Sequence, residues 1–128
     1  MTASNRPEPD SFLPLTPLSF EILLSLADGA RHGYGIIKEV EERSGSPLRS
    51  STGTLYLAIQ RLQKSGLLDV VASTVGKASR RRTYALTPLG RDVAVAEAER
   101  LAARVVDARH KMLLPERVAS GARLAGRD

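Results

Sequence analysis

The 128-residue sequence predicts a mainly α-helical chain with one small β-hairpin. Three observations carry that expectation. Four stretches place apolar residues at helical spacing, two short runs after Gly66 suit strands, and the segment between those runs is polar and basic. The composition, 42% hydrophobic and 26% charged, is that of an ordinary soluble chain with room for one domain, a modest core and one added element. No apolar run approaches the roughly 20 residues of a bilayer span. The opening MTASNRPEPDS has neither the basic start nor the apolar centre of a secretory signal. The absence of cysteine removes disulfides and thiolate chemistry and leans toward a cytoplasmic protein.

Taken in order, residues 1–14 hold three prolines among small polar residues and are expected to lack structure. A first helix starts with Thr16 as N-cap and Pro17 at the first helical position, where a missing N–H costs nothing. Phe20, Leu23, Leu24 and Ala27 give it one apolar face, and Asp28-Gly29 stops it. A second helix runs from Tyr34 to Arg43, with Ile36, Ile37 and Val40 inward and Lys38, Glu39, Glu41 and Glu42 outward. Ser44-Gly45-Ser46-Pro47 is a turn. Tyr34 and Tyr84 are expected in or at the edge of the core.

The third helix spans Ser51 to Ser65 and ends at Gly66. With Leu55 set inward, Ala58, Ile59 and Leu62 fall within about 60° of it. Gly53, Leu57, Gln60 and Lys64 face away, with Arg61 beside them. Strands at Leu67–Ala72 and Thr83–Leu86 then flank the polar loop STVGKASRR. Helix, strand, basic loop and strand in this order are the layout of a winged helix-turn-helix. Thr87-Pro88-Leu89 repeats the Thr-Pro-Leu helix start, and nothing breaks the pattern before Leu114. Ala94, Ala98, Leu101, Val105, Ala108 and Met112 form a 3.5-residue repeat, with Glu97, Arg100, Arg104 and Arg109 flanking it. Such a seam is covered by a second copy of the chain or by the chain's own first helix; the homodimer is favoured. Residues 115–128 are Gly-, Ala- and Arg-rich, a short helix or a frayed tail.

The net charge of +5 becomes informative once located. Seven basic residues lie between Arg49 and Arg82 against the single acid Asp69, so the rest of the chain is close to neutral. Clustered positive charge is the footprint of a polyanion partner. Ser50, Ser51, Thr52 and Thr54 crowd the start of the third helix, where hydroxyls and free N–H groups suit phosphates or base acceptors. N-capping accounts for one of those four hydroxyls. Gly53 permits close backbone approach. Leu57, apolar on an outward face, is either a thymine-methyl contact or an isolated exposed leucine. Gln60, Arg61 and Lys64 reach phosphates and base edges, Arg and Lys positioning more than specifying. Lys77, Arg80, Arg81 and Arg82 would grip the backbone or a minor groove from the wing. Tyr56 is expected at the edge of the buried face, where its ring can pack while its hydroxyl reaches a phosphate.

Enzymatic chemistry finds little support. His32 and His110 stand far apart without a carboxylate pair or a glycine-rich phosphate loop, and two histidines without cysteine make a poor metal site. His32, beside a glycine, reads as a turn or cap residue. No cofactor and no metal is expected.

The runs LTPLSFEILLSLADGARHGYGIIKEV, STGTLYLAIQRLQKSGLL and RRRTYALTPLGR, in this order, resemble the PadR family of transcriptional regulators, named after a phenolic-acid-responsive repressor. The resemblance covers about residues 15–114. It implies a winged helix DNA-binding domain over 15–86 and a dimerisation helix over 87–114, as in the family's short C-terminal subgroup. By resemblance Ser51, Thr52, Gly53, Thr54 and Tyr56 open the recognition helix, and Lys77 and Arg80 to Arg82 lie on the wing. The family usually has proline where this chain has Thr52, and often a polar or charged residue in place of Gly35. Members that bind flat aromatic drugs use aromatic residues on the dimer helix, and this chain has none after Tyr84. The expected function is sequence-specific DNA binding by a homodimeric repressor on an inverted-repeat operator, with release by a small-molecule effector. The competing reading is a winged helix adaptor that contacts protein instead.

Overall fold

The computed structural model describes residues 7–44, 51–75 and 80–115. The expected turn at residues 44–47, the middle of the wing loop and the tail beyond Pro115 fall largely or wholly outside them. Among the described residues there are four α-helices: α1 (Pro17–Ser25), α2 (Gly33–Ser44), α3 (Thr52–Lys64) and α4 (Pro88–His110). The strands β1 (Arg31–His32), β2 (Leu68–Val75) and β3 (Arg80–Leu86) make one antiparallel sheet in the order β1-β3-β2. Three helices against a small antiparallel sheet, with β2 and β3 as the hairpin, are the winged helix arrangement.

Of the segment expected to lack structure, residues 1–6 lie outside the described residues, and the part from Pro9 onward is ordered. Pro9–Phe12 form a 3-10 turn, and Phe12, Leu13 and Leu15 pack against the core. The reason is local: a polar, proline-rich stretch still carries three apolar side chains, and burying them offsets the cost of ordering it.

In α1, Thr16 caps as expected, its Oγ1 accepting from the Ser19 N–H at 3.1 Å. The buried face is different. Ile22, Leu23, Ser25 and Leu26 are buried, Phe20 and Leu24 are half-buried, and Ala27 is exposed. Leu18, Phe20, Ile22, Leu23 and Leu24 are apolar on nearly every side of the helix, so periodicity selects no face. The helix also stops at Ser25, leaving Ala27 in a turn bonded to Leu24 O. Arg31 Nε donates to the Ser25 carbonyl at 2.6 Å, satisfying one orphan acceptor of that helix end.

α2 buries Ile36, Ile37 and Val40 as its spacing predicts. Glu39, expected in water, is instead held between two cations, 2.7 Å from Arg31 and 2.6 Å from Arg43. Arg43 also binds Glu21 at 2.8 Å, so α1, β1 and α2 are joined by one chain of ion pairs. Partial burial works against the charge on Arg43, but its hydrogen bonds to Glu21 and Glu39 and their charges outweigh it and hold the guanidinium above its ordinary range.

The core gathers Ile22, Leu23 and Leu26 of α1, the three α2 residues, Leu55, Ala58, Ile59 and Leu62 of α3, Leu67, Leu68 and Tyr84 near the sheet, and Val93 of α4. Thr87 starts α4: its Oγ1 accepts from the Gly90 N–H at 2.9 Å and donates to Gly66 O at 2.6 Å. Gly90 is buried directly against the turn after α3, where a Cβ would lie 1.8 Å from the Leu67 carbonyl oxygen. Gly90, Val93 and Glu97 share one face of the helix and are all buried. Glu97, expected among the outward charges, is therefore 2% exposed.

Two compact units divide the chain between Glu97 and Ala98, partway along α4. In the second unit the helix ends at His110, four residues before the expected limit. Leu113 N bonds Ala108 O at 2.8 Å, Met112 N bonds Arg109 O at 3.0 Å, and Met112 takes the left-handed conformation. Arg109 Nε also donates to the Pro115 carbonyl at 3.1 Å, satisfying an acceptor just past the helix end. Among the described residues no helix is long and apolar enough to cross a membrane.

Candidate nucleic-acid interface

α3 is the most exposed of the helices packed in the core. Ser51 is its N-cap, with Oγ accepting from the Thr54 N–H at 3.1 Å and lying 3.0 Å from Thr54 Oγ1. Two hydroxyls are thus occupied with each other and with the cap, whereas Thr52 Oγ1 makes no hydrogen bond among the described residues. Ser50 lies outside them. Thr52, Gly53, Thr54, Leu57, Gln60, Arg61 and Lys64 are all exposed, and α3 contains no acidic residue. Leu57 is 58% exposed in the middle of this polar face. It shares a shallow depression of about 500 Å³ with Gln60, Arg61, Gln63 and Lys64. Gln63 belongs to this set although the helical wheel hid it: eight residues past Leu55, it sits about 80° from the inward direction.

Gly53 has an informative environment. A Cβ there would meet nothing nearer than Ser51 Oγ at 3.9 Å, so the chain's own packing does not require glycine in this first turn. Glycine costs a helix about 1 kcal/mol against alanine.

Tyr56 is 39% exposed, at the edge of the buried face as expected. Its ring lies on Gly33 at the start of α2, where a Cβ would be 3.0 Å from Tyr56 Cε1. The HGY and GTLY runs are therefore two halves of one contact, which neither run reveals alone. Tyr84 is buried at 5% exposure, as expected. Tyr34 is not: at 61% it stands in solvent, in the first turn of α2 and roughly opposite the buried Ile36. His32 immediately precedes α2, the position of a cap residue, and is at the same time part of the sheet. It pairs with Thr83 in the sheet, its Nδ1 3.1 Å from Thr83 Oγ1.

The wing strands are longer than the sequence indicates. β2 reaches Val75 and β3 begins at Arg80, paired from Leu68↔Leu86 to Val75↔Arg80 with an irregularity between Val70 and Ala72. Arg80, Arg81 and Arg82 consequently lie on a strand and not in a loop. The ladder satisfies the backbone of polar residues as well as of apolar ones, so polarity was a poor sign of loop. Arg81 and Arg82 are exposed; Lys77 lies outside the described residues. His32, Gly33, Tyr34, Tyr56, Gln60, Arg81, Arg82 and Tyr84 line a cleft of about 540 Å³ between the start of α2, α3 and β3. No group of three or more metal-ligating side chains occurs among the described residues.

The seam expected on the last helix divides. Ala94 is half-buried against the core of its own chain. Ala98 is exposed, Leu101 and Ala108 are half-buried, and Val105 is 40% exposed. Met112 lies past the helix end at 86% exposure, off the line of the repeat.

The model of the transcriptional regulator PadR-like family matches residues 22–96. An uncharacterized 37.1 kDa protein in transposon Tn4556 of Streptomyces fradiae is 37% identical over 81 residues, 63% of this chain; the chain spans 22% of that protein's length. A PadR family transcription regulator from Clostridium difficile is 28% identical, with a TM-score of 0.57, over 72% of this chain and 96% of its own. Bacillus subtilis PadR, solved in complex with operator DNA, shares the fold at 20% identity and a TM-score of 0.56, over 90% of this chain and 55% of its own. With a family match over more than half its length and a fold to agree, the chain belongs to the PadR-like family of transcriptional regulators.

Proposed function

We propose that the chain is a homodimeric, sequence-specific DNA-binding repressor. α3 enters the major groove, β2 and β3 lie along the backbone, and the helix beyond Glu97 pairs with a second copy. Two copies then set their α3 helices about 34 Å apart, on successive major grooves of an inverted repeat. A small-molecule effector releases the operator if it binds better to a dimer whose two reading helices are misplaced.

The observation that carries this reading is Gly53. A helix-weakening residue stands in an exposed first turn with open space beyond it, between threonine hydroxyls and on a helix free of acids. Its cost is explained by close approach of an external backbone. Arg61, Lys64, Arg81 and Arg82 supply positive charge on the same elements.

The test is a titration of the full chain against duplex selected from a random pool and against a scrambled duplex, at several salt concentrations. The selected duplex is expected to bind at least a hundredfold more tightly, with log K falling linearly in log salt for both. Equal binding of the two, or salt-independent binding, overturns the repressor reading and points to a protein-binding adaptor.

A further inference from the structure

Gly66 and Leu67, in the turn between α3 and β2, have every backbone N–H and C=O hydrogen-bonded, and the bonds join two helices. The Gly66 N–H donates to Gln63 O and the Leu67 N–H to Leu62 O, both at 3.0 Å, which ties the turn to the end of α3. Gly66, at φ 85°, takes the left-handed conformation that this closure of a helix requires. The two carbonyls serve α4. Gly66 O accepts from Thr87 Oγ1 at 2.6 Å, and Leu67 O accepts from the Thr87 N–H at 3.2 Å. Thr87 Oγ1 accepts in turn from the Gly90 N–H at 2.9 Å, one of the donors that a helix start leaves without a partner. One hydroxyl thus has two roles: as an acceptor it caps α4, and as a donor it clips that cap to the end of α3. Capping needs only the acceptor, which an aspartate supplies equally well. The donor half therefore belongs to the joint and not to the helix.

Further along α4, Val93 packs in the core and Arg91 Nη2 donates to Ala27 O at 3.0 Å. Two points of attachment define a direction; with the clip gone, the helix can swing about the second. The consequence is largest at the far end of α3. Its exposed start at Thr52 lies one helix length from the joint, about 20 Å for 13 residues at 1.5 Å each. A swing of about 10° moves that end by roughly 3.5 Å in the frame of α4, about one base-pair step. We propose that Thr87 is a positioning residue: its clip fixes the angle between α3 and α4 and so sets the half-site separation that a pair of copies accepts. The proposal rests on the homodimeric DNA-binding reading above. In it Thr87 acts through α3 and contacts no base or phosphate itself.

Two variants separate the two roles of the hydroxyl. Thr87→Asp keeps an acceptor for the Gly90 N–H but, as a carboxylate, has no proton to donate to Gly66 O. Thr87→Ser keeps both. The full chain and each variant are titrated against duplex selected from a random pool, and against the same duplex with one base pair added or removed between its half-sites. The thermal midpoint is measured alongside. In the wild type a change of one base pair is expected to weaken binding at least tenfold. In Thr87→Asp the three duplexes should differ by no more than about threefold, and in Thr87→Ser by the wild-type ratio. The negative charge of the aspartate weakens binding to all three alike, so it leaves the ratio untouched.

A spacing ratio that stays at the wild-type value in Thr87→Asp overturns the proposal and leaves the dimeric DNA-binding reading standing. A lowered thermal midpoint with an unchanged ratio has the same meaning, since Thr87 is then a cap and nothing more. If Thr87→Asp does not fold, Thr87→Val, close in shape and uncharged, must show the fall in ratio. A selected duplex without paired half-sites, or a wild type indifferent to their spacing, overturns the inverted-repeat reading and this proposal with it. A ratio lost in Thr87→Asp and kept in Thr87→Ser is the result that the clip requires.

Discussion

Replacing Gly90 with alanine tests how α4 is joined to the winged helix. The added Cβ would sit 1.8 Å from Leu67 O and 2.8 Å from Leu67 C. Reaching an ordinary contact of about 3.4 Å forces the first turn of α4 to withdraw by roughly 1.6 Å. That movement breaks two hydrogen bonds to the turn after α3, Thr87 N to Leu67 O at 3.2 Å and Thr87 Oγ1 to Gly66 O at 2.6 Å. Each is worth about 1 kcal/mol, and the repacking around Val93 adds about 1–3 kcal/mol. Alanine returns about 1 kcal/mol through helix propensity, so the net loss is about 2–4 kcal/mol. For a domain whose total stability is about 5–15 kcal/mol this is a large fraction. The assay is urea unfolding followed by far-ultraviolet circular dichroism at one fixed protein concentration, since an associating chain makes the midpoint concentration-dependent. Gly53→Ala is the paired control. The same substitution meets open space there and should be neutral or stabilising by up to about 1 kcal/mol. A Gly90→Ala loss below 1 kcal/mol, or equal effects at the two sites, would refute the packing argument.

Further outcomes follow from the same geometry. Changing Arg81 and Arg82 together to alanine should lower the slope of log K against log salt by about 2, and an unchanged slope removes them from the backbone contact. Leu57→Ala should weaken binding to the selected duplex about three- to tenfold, and uracil in place of one thymine should do the same without adding to it; independent losses rule out a methyl contact. Glu39→Gln should destabilise the fold by about 1 kcal/mol in dilute buffer and by less in 1 M salt, because it uncouples Arg31 from Arg43. In analytical ultracentrifugation the wild-type chain is expected to be dimeric at micromolar concentration and Leu101→Glu/Val105→Glu monomeric; a monomeric wild type excludes the dimer.

The parts of this fold that were legible in the sequence are those where one signal acts alone. α3 combines a capping serine, a strict i, i+3, i+4, i+7 apolar set and a closing glycine at φ 85°, and its buried residues and both ends are as expected. α1 has apolar residues on most sides, so its face was set by tertiary packing and could not be read from spacing. β1 is two residues long and exists because β3 offers an edge to Arg31 and His32, a pairing across about fifty residues that leaves no local pattern. Polarity suggested a loop for Arg80 to Arg82, where the hairpin ladder continues. On the candidate interface the outward face of α3 was legible because helical geometry fixes directions. The cleft was not, since it depends on three elements meeting and on Tyr34 pointing out. Gly90 and Glu97 carry no sequence signal for burial; only the close approach of α4 to Leu67 explains the first.

The seat of Tyr56 on Gly33 bears on how freely the reading helix can be exchanged. A grafted α3 from another family member would bring its own residue at position 56, and that residue must still fit against a backbone that offers no side chain at position 33. A larger group at either place would press Tyr56 and the backbone of position 33 apart and shift the first turns of the helix, the end that the proposed reading sets against the bases. On the proposed reading, in which α3 enters the groove, specificity would not be a cassette confined to thirteen residues: it would be portable only together with the first turn of α2.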